Sequence, residues 1–380
     1  MSAPMIRIPF NRPHVTGREF GYIQQAIEKG HLSGNGDFTK RCQKWLQEQV
    51  KAPRVFLTQS ATSALEMASL LLNLEPGDEV IVPSFTFVST ANAFALRNAV
   101  PVFVDVRPDT LCIDEERIAA AITARTRAIC VVHYAGVSCD MDAVNALAKQ
   151  HGLTVLEDDA QGVMASYRGR PLGSLGSLAA LSFHETKNLI SGEGGALVVN
   201  DPALIGRAEI AWEKGTNRAA LFRGEVDKYT WIELGSSYLP SELTAAFLWA
   251  QLEQAQPLTD ARRHIWDRYH AALTEAEARG LLRRPIVPAF STHNAHMYYV
   301  LLPSLEARTR AIAALKARGI LAVFHYVPLH SSPAGLKHGR ASGEFPVTDD
   351  VSDRLLRLPM YVGLTDAEID EIVQLLVSTL

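Results

Sequence analysis

The stretch from residue 153 to residue 161, Leu-Thr-Val-Leu-Glu-Asp-Asp-Ala-Gln, begins with a short apolar run and ends with acidic residues and a glutamine. A second apolar run, Leu178 to Leu181, is followed by Ser-Phe-His-Glu-Thr-Lys, whose last residue is Lys187. Short apolar runs of this kind are typical of buried strands. The two stretches therefore predict an acid, Asp158, at the end of one buried strand and a lysine shortly after another.

This pairing suits the chemistry of pyridoxal 5'-phosphate (PLP). A lysine amine can bind the aldehyde of PLP as a Schiff base. An aspartate beside the pyridine nitrogen keeps that nitrogen protonated, so the ring can accept electrons. To move a proton between carbon atoms, Lys187 needs a pKa well below the ~10.4 of a free lysine. The glycines of Gly192-Glu193-Gly194-Gly195 are predicted to let the backbone approach a bulky group closely.

Apolar runs and amphipathic segments alternate over the first 200 residues, which predicts an α/β fold with a mostly parallel sheet covered on both faces. Ligands of such sheets bind beyond the carboxyl ends of the strands. The predicted strands are Arg54–Thr58, Glu79–Val82, Pro101–Asp105, Arg127–His133, Leu153–Leu156, Ala179–Phe183 and Ala196–Val199. The predicted helices between them are Ala61–Leu72, Thr86–Arg97, Glu115–Ile122 and Met141–His151.

The chain as a whole is predicted to form two domains, a large one at 1–255 and a smaller α+β domain at 256–380. The segment 1–30 is predicted to pack on the smaller domain, and its helix to begin at a Thr16-x-x-Glu19 capping box with a Val15–Phe20 staple. Further expected elements are a helical stretch at 241–278 interrupted by Pro257, strands at 297–302 and 321–324, and helices at 306–318, 352–356 and 366–379.

Composition excludes several classes of function. The net charge is -4, whereas a protein that binds nucleic acid generally carries a basic excess. No stretch approaches the ~18 apolar residues of a membrane span, and residues 1–10 contain no apolar core of a signal peptide. The four cysteines lack zinc-site spacing, which favours free thiols in a reducing compartment and no metal. We therefore expect a cytoplasmic protein that binds neither membranes nor nucleic acid.

The phosphate group of the cofactor has a candidate site at Ser60-Ala61-Thr62-Ser63, between a predicted strand and the helix that follows it. Free N–H groups at a helix N-terminus bind phosphate, and hydroxyl groups add donors. Ser182, close before Lys187, could supply another hydroxyl. The alternative is that these residues simply cap the helix.

Three further side chains could contact the pyridine ring. Gln161 could reach the face of Asp158 and bind the phenolic oxygen of the ring, and Phe87 could stack on the ring. The alternative for Phe87 is an ordinary core position, and that for Asp158 is a solvated strand end. Because Asp159 is adjacent, these residues alone do not decide which of the two acids contacts the ring nitrogen.

A basic stretch from Lys214 through Arg218 to Lys228 is the candidate contact for a diphosphate, with ordinary solvated charge as the alternative. Four histidines lie near predicted strand ends. No two of them have metal-ligand spacing on one element, so each is expected to be structural or to contact a substrate: His133, His184, His325 and His330.

The chain resembles the DegT/StrS family of PLP-dependent sugar-nucleotide aminotransferases along nearly its whole length. The matching stretches are Pro76-Gly77-Asp78-Glu79-Val80-Ile81-Val82-Pro83-Ser84-Phe85-Thr86-Phe87, Val104-Asp105-Val106, Glu157-Asp158 with Gln161, and Ser182 through Lys187 to Gly195. The resemblance implies the type I, aspartate aminotransferase-like fold, with PLP and pyridoxamine phosphate as the cofactor forms. It implies that Lys187 carries the cofactor, Asp158 contacts the ring nitrogen and Gln161 the ring oxygen, and Phe87 stacks on the ring. It further implies that Ala61, Thr62 and Ser182 hold the phosphate, in a site shared across a homodimer.

A narrower set of stretches resembles members of the family that act on dTDP-4-oxo-6-deoxyglucose. This likeness implies that L-glutamate supplies an amino group to carbon 4, giving dTDP-4-amino-4,6-dideoxygalactose for a polysaccharide such as enterobacterial common antigen. The candidate substrate-binding residues in or beside these stretches are His184, Lys214, Arg218, His325 and Tyr326. The stretches are 182–188, 213–218, 222–224, 226–231, 294–297 and 324–326.

Two departures from the family pattern affect the phosphate site. Many members have Asn-Gly-Thr where this chain has Ser60-Ala61-Thr62, although alanine keeps the N–H group. Many members have Gly-Tyr-Asn-Tyr-Arg where this chain has Gly235-Ser236-Ser237-Tyr238-Leu239, so the asparagine contributed by the partner chain is missing. Ser237 is the proposed substitute, with Ser236 as the alternative.

Other functions compete with this interpretation. An aminotransferase acting on a 3-oxo sugar would share the same motifs. Sugar dehydratases of this fold have histidine in place of the lysine, so Lys187 argues against them. A non-catalytic regulator of this fold would have a DNA-binding domain, and no basic segment precedes Pro9. A nicotinamide-dependent dehydrogenase would need GxGxxG after a strand, which the sequence lacks.

Overall fold

The computed structural model describes residues 5–380. Its helices are α1 (Glu19–Glu28), α2 (Asp37–Val50), α3 (Ala61–Leu71), α4 (Val88–Ala95), α5 (Glu115–Ala121), α6 (Met141–His151), α7 (Ile205–Trp212), α8 (Arg218–Phe222), α9 (Glu242–Leu252), α10 (Ala255–Ala272), α11 (Thr274–Ala278), α12 (Leu305–Ala317), α13 (Pro333–His338), α14 (Pro346–Arg354) and α15 (Asp366–Ser378).

Its strands are β1 (Arg54–Thr58), β2 (Glu79–Pro83), β3 (Val100–Val104), β4 (Thr126–Val132), β5 (Thr154–Asp159), β6 (Ser166–Tyr167), β7 (Arg170–Pro171), β8 (Leu178–Ser182), β9 (Gly195–Val199), β10 (Ser291–Thr292), β11 (Tyr299–Leu301), β12 (Arg340–Ala341) and β13 (Leu355–Arg357).

Eight strands form the main sheet in the order β1-β9-β8-β5-β4-β2-β3-β12. Strand β9 is antiparallel to both of its neighbours, β1 and β8. The other pairings in the sheet are parallel. The predicted α/β fold with a mostly parallel sheet is therefore confirmed.

Alternation along the strands produces a core on each face of the sheet. On β2, Val80 and Val82 pack with residues of α3, α4 and α7, whereas Ile81 packs with residues of α5 and α6. On β1, Phe56 belongs to the first face, and Val55 packs with residues of α2 and α9 on the other. Successive side chains of a strand point to opposite faces, so apolar runs buried on both sides need helices on both sides.

The C-terminal part has a separate core, formed by α10, α12, α15 and the antiparallel pair β11 and β13. Ile8 joins this core, and the N–H groups of Arg7 and Ile8 both donate to the carbonyl of Gly319. Part of the predicted N-terminal segment thus contacts the C-terminal part, while residues 1–4 lie outside the described residues. The domain division at 255/256 stays a prediction, although β12 shows that the C-terminal part also contributes to the main sheet.

Several expected elements differ in the structure. The first helix begins at Glu19 rather than after Thr16, and only half of the capping box forms: the Glu19 carboxylate accepts from Thr16 N–H at 2.7 Å. The Val15–Phe20 staple does not form a buried contact, because both side chains are exposed. The predicted interruption of the stretch 241–278 is present: α9 ends at Leu252, α10 begins at Ala255, and Pro257 lies in the first turn of α10, where its missing N–H group costs nothing and its ring prevents the helix from continuing from residue 253.

Two predicted elements of the C-terminal part were wrong. Residues 352–356 are not a helix of their own, because α14 ends at Arg354 and β13 follows at once. Residues 321–324 form only a single bridge, between Val323 and Arg357. Among the described residues, no helix is both long enough and apolar enough to cross a bilayer.

Candidate active site

A cavity of about 760 Å³ lies at the carboxyl ends of β5 and β8, where the fold predicted a ligand site. Most of the sequence-predicted site residues line it: Ala61, Thr62, Phe87, Asp158, Gln161, Ser182, His184, Lys187, His325 and Tyr326. These residues come from distant parts of the sequence. Their roles stay predictions, but the fold brings them to one place.

Asp158 occupies the penultimate position of β5, because the strand continues beyond its predicted end at Leu156. Its Oδ2 accepts a hydrogen bond from Thr90 Oγ1 at 2.7 Å, and its Oδ1 accepts one from the Ala160 N–H at 3.2 Å. Burial raises its pKa, while the bonds from Thr90 and Ala160 and the charge of Lys187 oppose that rise. A cationic group brought to this carboxylate would therefore be strongly favoured.

The neighbouring acid does not reach the cavity. Since side chains alternate along β5, Asp159 faces the opposite side of the sheet, where its carboxylate lies close to Gly162 and Gly173. Both of its oxygens are buried without a hydrogen-bond partner among the described residues. Burial, with the nearby charges of Glu157 and Asp158, raises its pKa well above the ordinary value and so favours the protonated form. The structure thus decides which of the two acids faces the cavity.

Lys187 follows β8 after a short loop and lies at the same cavity. It is half-buried by accessible surface because the cavity reaches it, yet protein surrounds its amine on the other sides. Burial lowers its pKa to about 8, Asp158 partly opposes this shift, and Arg357 adds to it. A far larger fraction of the amine than in an ordinary lysine is therefore unprotonated near neutral pH, as a nucleophile or base requires.

The start of α3 forms a polar wall of the cavity. Ser60 caps the helix by accepting from Ser63 N–H at 3.0 Å, and Thr62 Oγ1 lies 2.7 Å from Ser89 Oγ. The Ala61 and Thr62 N–H groups make no hydrogen bond within residues 5–380. Both the capping alternative and the geometry of an anion site are therefore present at this helix end.

Gly195 has a different use from the predicted one. A Cβ atom there would lie 2.4 Å from the Ala61 nitrogen, so the glycine allows β9 to pass against the backbone at the start of α3. The close approach is to this backbone and positions the polar wall.

Gln161 belongs to a hydrogen-bonded chain at the other side of the cavity. Its Oε1 accepts from the Ala135 N–H at 2.7 Å, and its Nε2 donates to Tyr326 Oη at 3.2 Å. His325 Nδ1 lies 3.0 Å from Tyr134 Oη. Burial raises the pKa of Tyr326 and lowers that of His325 well below its ordinary value, so both side chains are neutral. The phenol can therefore donate its proton to a group in the cavity.

Phe87 and His184 lie at the outer part of the cavity. Phe87 is exposed and tilted toward the Tyr326 ring, with a centroid separation of 6.4 Å. It is therefore not an ordinary core residue. His184 Nδ1 lies 2.9 Å from Thr186 Oγ1, and its Nε2 lies 3.7 Å from a Glu193 oxygen. The other two histidines near strand ends have structural partners instead: His133 bonds Glu157, and His330 bonds Ser84.

Several lining residues were not predicted. Thr90, in the first turn of α4, contacts Asp158 directly, and its position three residues after Phe87 could have indicated it. Arg262 and Arg357 are cations at the cavity wall, and Ser89 contacts Thr62. No pattern marks either arginine in the sequence, because each reaches the cavity from the C-terminal part.

Three predicted residues do not line the cavity. Lys214, Arg218 and Ser237 are exposed on the segment between α7 and α9, and the carbonyl of Ser237 accepts from Gln59 Nε2. The sequence assigned Ser237 to the site of a neighbouring chain, and that assignment stays a prediction. Lys214 and Arg218 lie outside the lining of this cavity, and their role as substrate contacts stays a prediction.

The cavity residues fit PLP. The free N–H groups of α3 with Thr62, Ser89 and Ser182 suit a phosphate. Asp158 suits a pyridinium nitrogen, and an enclosed amine with a lowered pKa suits an aldehyde. Within residues 5–380, no group of three potential metal ligands is present.

Comparison with known proteins identifies the family. The DegT/DnrJ/EryC1/StrS aminotransferase family model matches residues 13–377. The chain belongs to this family. Among similar proteins is the spore coat polysaccharide biosynthesis protein SpsC of Bacillus subtilis (strain 168), 34% identical over 97% of this chain and 95% of its own length. Another is the GDP-perosamine synthase of Caulobacter vibrioides, 33% identical over 97% of this chain and 96% of its own.

A solved structure leads to the same conclusion. Spr1654 of Streptococcus pneumoniae, assigned as a sugar aminotransferase, is 25% identical in its PMP form and has a TM-score of 0.91, with 98% of this chain and 99% of that one covered. The same protein has also been solved in a PLP form. The chain is therefore a PLP-dependent sugar-nucleotide aminotransferase with the type I fold, as the sequence predicted.

Proposed function

We propose that the enzyme transfers the amino group of L-glutamate to carbon 4 of dTDP-4-oxo-6-deoxy-D-glucose, giving dTDP-4-amino-4,6-dideoxy-D-galactose and 2-oxoglutarate. The observation that carries the transamination is the enclosure of Asp158 and of Lys187, with its lowered pKa, in one cavity. The choice of sugar is supported by the narrower sequence resemblance. A role in the synthesis of a polysaccharide such as enterobacterial common antigen belongs to the same proposal.

The shape of the cavity supports a deoxy sugar. The C-terminal part contributes several apolar side chains to its lining, among them Met297, Val323, Phe324, Val327 and Met360. A methyl group packs favourably against such a wall, at roughly 0.8 kcal/mol for each buried carbon. A hydroxymethyl group would lose a hydrogen bond to water there.

The reaction needs a proton acceptor and an electron-poor ring. Bound PLP supplies the electron sink. Lys187 would move a proton between the two carbon atoms that flank the transferred nitrogen, as its pKa of about 8 permits near neutral pH. Asp158 would keep the ring nitrogen of bound PLP protonated, and the Thr90 hydroxyl orients its carboxylate. Gln161 fixes Tyr326, whose hydroxyl faces the cavity.

We further propose a homodimer with a shared active site. The segment between α7 and α9 carries exposed apolar side chains, including Phe222 at 73% and Trp231 at 72% exposure. Exposed aromatic residues gathered on one segment are typical of a protein interface. Docked on a second copy, this segment would carry Lys214, Arg218 and Ser237 with it. Light scattering of the purified enzyme should give twice the mass of the chain, and a monomeric active enzyme would refute the proposal.

One incubation tests the substrate. The PLP-loaded enzyme is mixed with L-glutamate and dTDP-4-oxo-6-deoxyglucose, and the product is identified by NMR. A 4-amino sugar of galacto configuration is expected. A gluco product, or amination of 3-oxo sugars alone, would reject the proposed substrate and leave the family assignment intact. The Lys187→Ala variant is the control, because it should give no product.

A further inference from the structure

Arg357, the last residue of β13, is a cation at the cavity wall without an acidic partner. Its Nη2 donates to the Phe324 carbonyl at 3.2 Å, and its guanidinium carbon lies 4.7 Å from the centre of the Phe10 ring. Its Nε is buried and has no hydrogen-bond partner among the described residues. No carboxylate within residues 5–380 forms an ion pair with it, so part of its donor capacity is unused.

The surroundings of Arg357 make this arrangement costly. Burial lowers its pKa, and the groups that favour its charge are the phenols of Tyr134 and Tyr326, not carboxylates. Its charge in turn helps lower the pKa of Lys187 and of His325. An enclosed charge without a counter-ion destabilises a protein unless a ligand provides one.

The second arginine of the cavity is already occupied. Arg262 donates to the carbonyl of Ala295 at 3.1 Å and to that of His296 at 2.6 Å, and burial lowers its pKa to about 10. It therefore holds the segment 295–296 in place. Of the two arginines, Arg357 is the one with donors free for a ligand.

The acids that line the cavity do not neutralise Arg357. They are Asp158, which is engaged by Thr90 and Ala160, and Glu193, whose side chain is mostly exposed. A ligand with a carboxylate would supply the missing charge. A guanidinium presents two parallel N–H donors that match the two oxygens of a carboxylate.

Of the two substrates under the proposed function, only the amino donor carries a carboxylate next to its reacting carbon. The oxo sugar has no charge near carbon 4, because its diphosphate lies on the other side of the ring. We propose that Arg357 binds a carboxylate of L-glutamate beside Lys187 and thereby positions the donor for proton removal. This inference rests on the proposed amino donor and not on the identity of the sugar.

The two half-reactions separate this role from a general structural one. In stopped-flow measurements, L-glutamate converts the PLP form to the pyridoxamine phosphate form, and the oxo sugar converts it back, each with its own absorbance change. Arg357→Gln should raise the glutamate concentration needed for half-maximal rate by about 10- to 100-fold, because a charge-assisted pair is lost. Measured at pH 9, above the pKa of about 8 of Lys187, so that the effect of Arg357 on the protonation of this amine is small, the half-reaction with the oxo sugar should change less than about threefold. Arg357→Lys should lie between, because lysine keeps the charge but not the paired donors.

A binding measurement adds a readout that does not depend on turnover. Calorimetric titration of the PLP-loaded enzyme with glutarate, which has no amino group to react, should show binding to the wild type and at least tenfold weaker binding to Arg357→Gln. Arg310→Gln is the matched control, since Arg310 is exposed on α12 and makes no hydrogen bond within the described residues. Thermal unfolding of each variant verifies that it is folded.

Each result has one meaning. An Arg357→Gln enzyme with unchanged affinity for glutamate and glutarate overturns the inference. So does an equal loss in both half-reactions, which would indicate a structural role, or a loss confined to the sugar, which would assign the arginine to the diphosphate. Wild-type enzyme that does not react with glutamate refutes the proposed donor instead, so the two failures are distinguishable.

Discussion

The lowered pKa of Lys187 leads to a prediction about the cofactor-free protein. With a pKa of about 8, roughly one fifth of this amine is neutral at pH 7.4, against about 0.1% for an ordinary lysine with a pKa of ~10.4. At pH 7.4, Lys187 should therefore react with an acylating reagent about 200-fold faster than a lysine with the ordinary pKa, because about 200 times more of its amine is neutral. The physical cause is burial, which disfavours the ammonium form.

The assay is competitive acylation followed by mass spectrometry. The cofactor-free protein is labelled briefly with a small anhydride between pH 6 and pH 11, and the peptide containing Lys187 is quantified. Lys44, which is exposed on α2, serves as an internal reference for the reactivity of the reagent toward a solvent-accessible amine. The labelling of Lys187 should rise with a midpoint near pH 8.

Two variants test the cause of the shift. Asp158 raises the pKa of Lys187, so Asp158→Asn should move the midpoint to lower pH. Arg357 lowers that pKa, so Arg357→Gln should move the midpoint to higher pH. A wild-type midpoint near 10.4, or shifts of the opposite sign, would refute the electrostatic account of the site.

Three further substitutions test buried acidic groups. Asp158→Asn should lower kcat by about 10- to 150-fold, because a charge-assisted hydrogen bond contributes roughly 1.5–3 kcal/mol. Borohydride should still attach the cofactor to Lys187 in this variant. An unchanged kcat would contradict the role of the acid. Asp159→Asn should raise the melting temperature at pH 8 more than at pH 5. The folded-state pKa of Asp159 is raised, so its stability cost grows as pH rises above the unfolded value, and an equal effect at both pH values would contradict this. Glu79→Gln should lower the free energy of unfolding at pH 7 by about 3–5 kcal/mol, measured with urea, because Glu79 is buried between Arg340 and Arg125. Arg340 and the other partners lower the pKa of Glu79 to about 2, so its contribution is present above the unfolded pKa of ~4.3 and is lost as pH falls toward 2; a difference that persists at pH 2 would argue against the ion pair.

Local patterns carried much of the information about this protein. Apolar runs between amphipathic segments predicted the parallel sheet, and Asp158 and Lys187 indicated the cofactor, because strand alternation and the chemistry of an amine and an acid are properties of short stretches. The bounds of β5 were harder to predict from the sequence. The sequence placed its end at Leu156, and the three additional residue pairs with β8 are contacts between distant segments: Glu157 with Ala179, Asp158 with Ala180 and Asp159 with Leu181.

That extension decided the most important ambiguity. Because β5 continues through both acids, Asp158 faces the cavity and Asp159 the opposite core, a choice that the adjacent residues alone left open. The apolar periodicity of 352–356 was misassigned for a related reason, since the pairing of β13 with β11 overrides the local helical pattern.

The sequence by itself determined which chemical groups this enzyme possesses and the order in which strands and helices follow one another. Only the tertiary structure decided the protonation of Lys187, the partner of Asp158 and the approach of Arg357 to the cavity. The reason is physical: a pKa or an unused hydrogen-bond donor depends on how much water the surrounding protein excludes, and the residues that exclude it come from both ends of the chain.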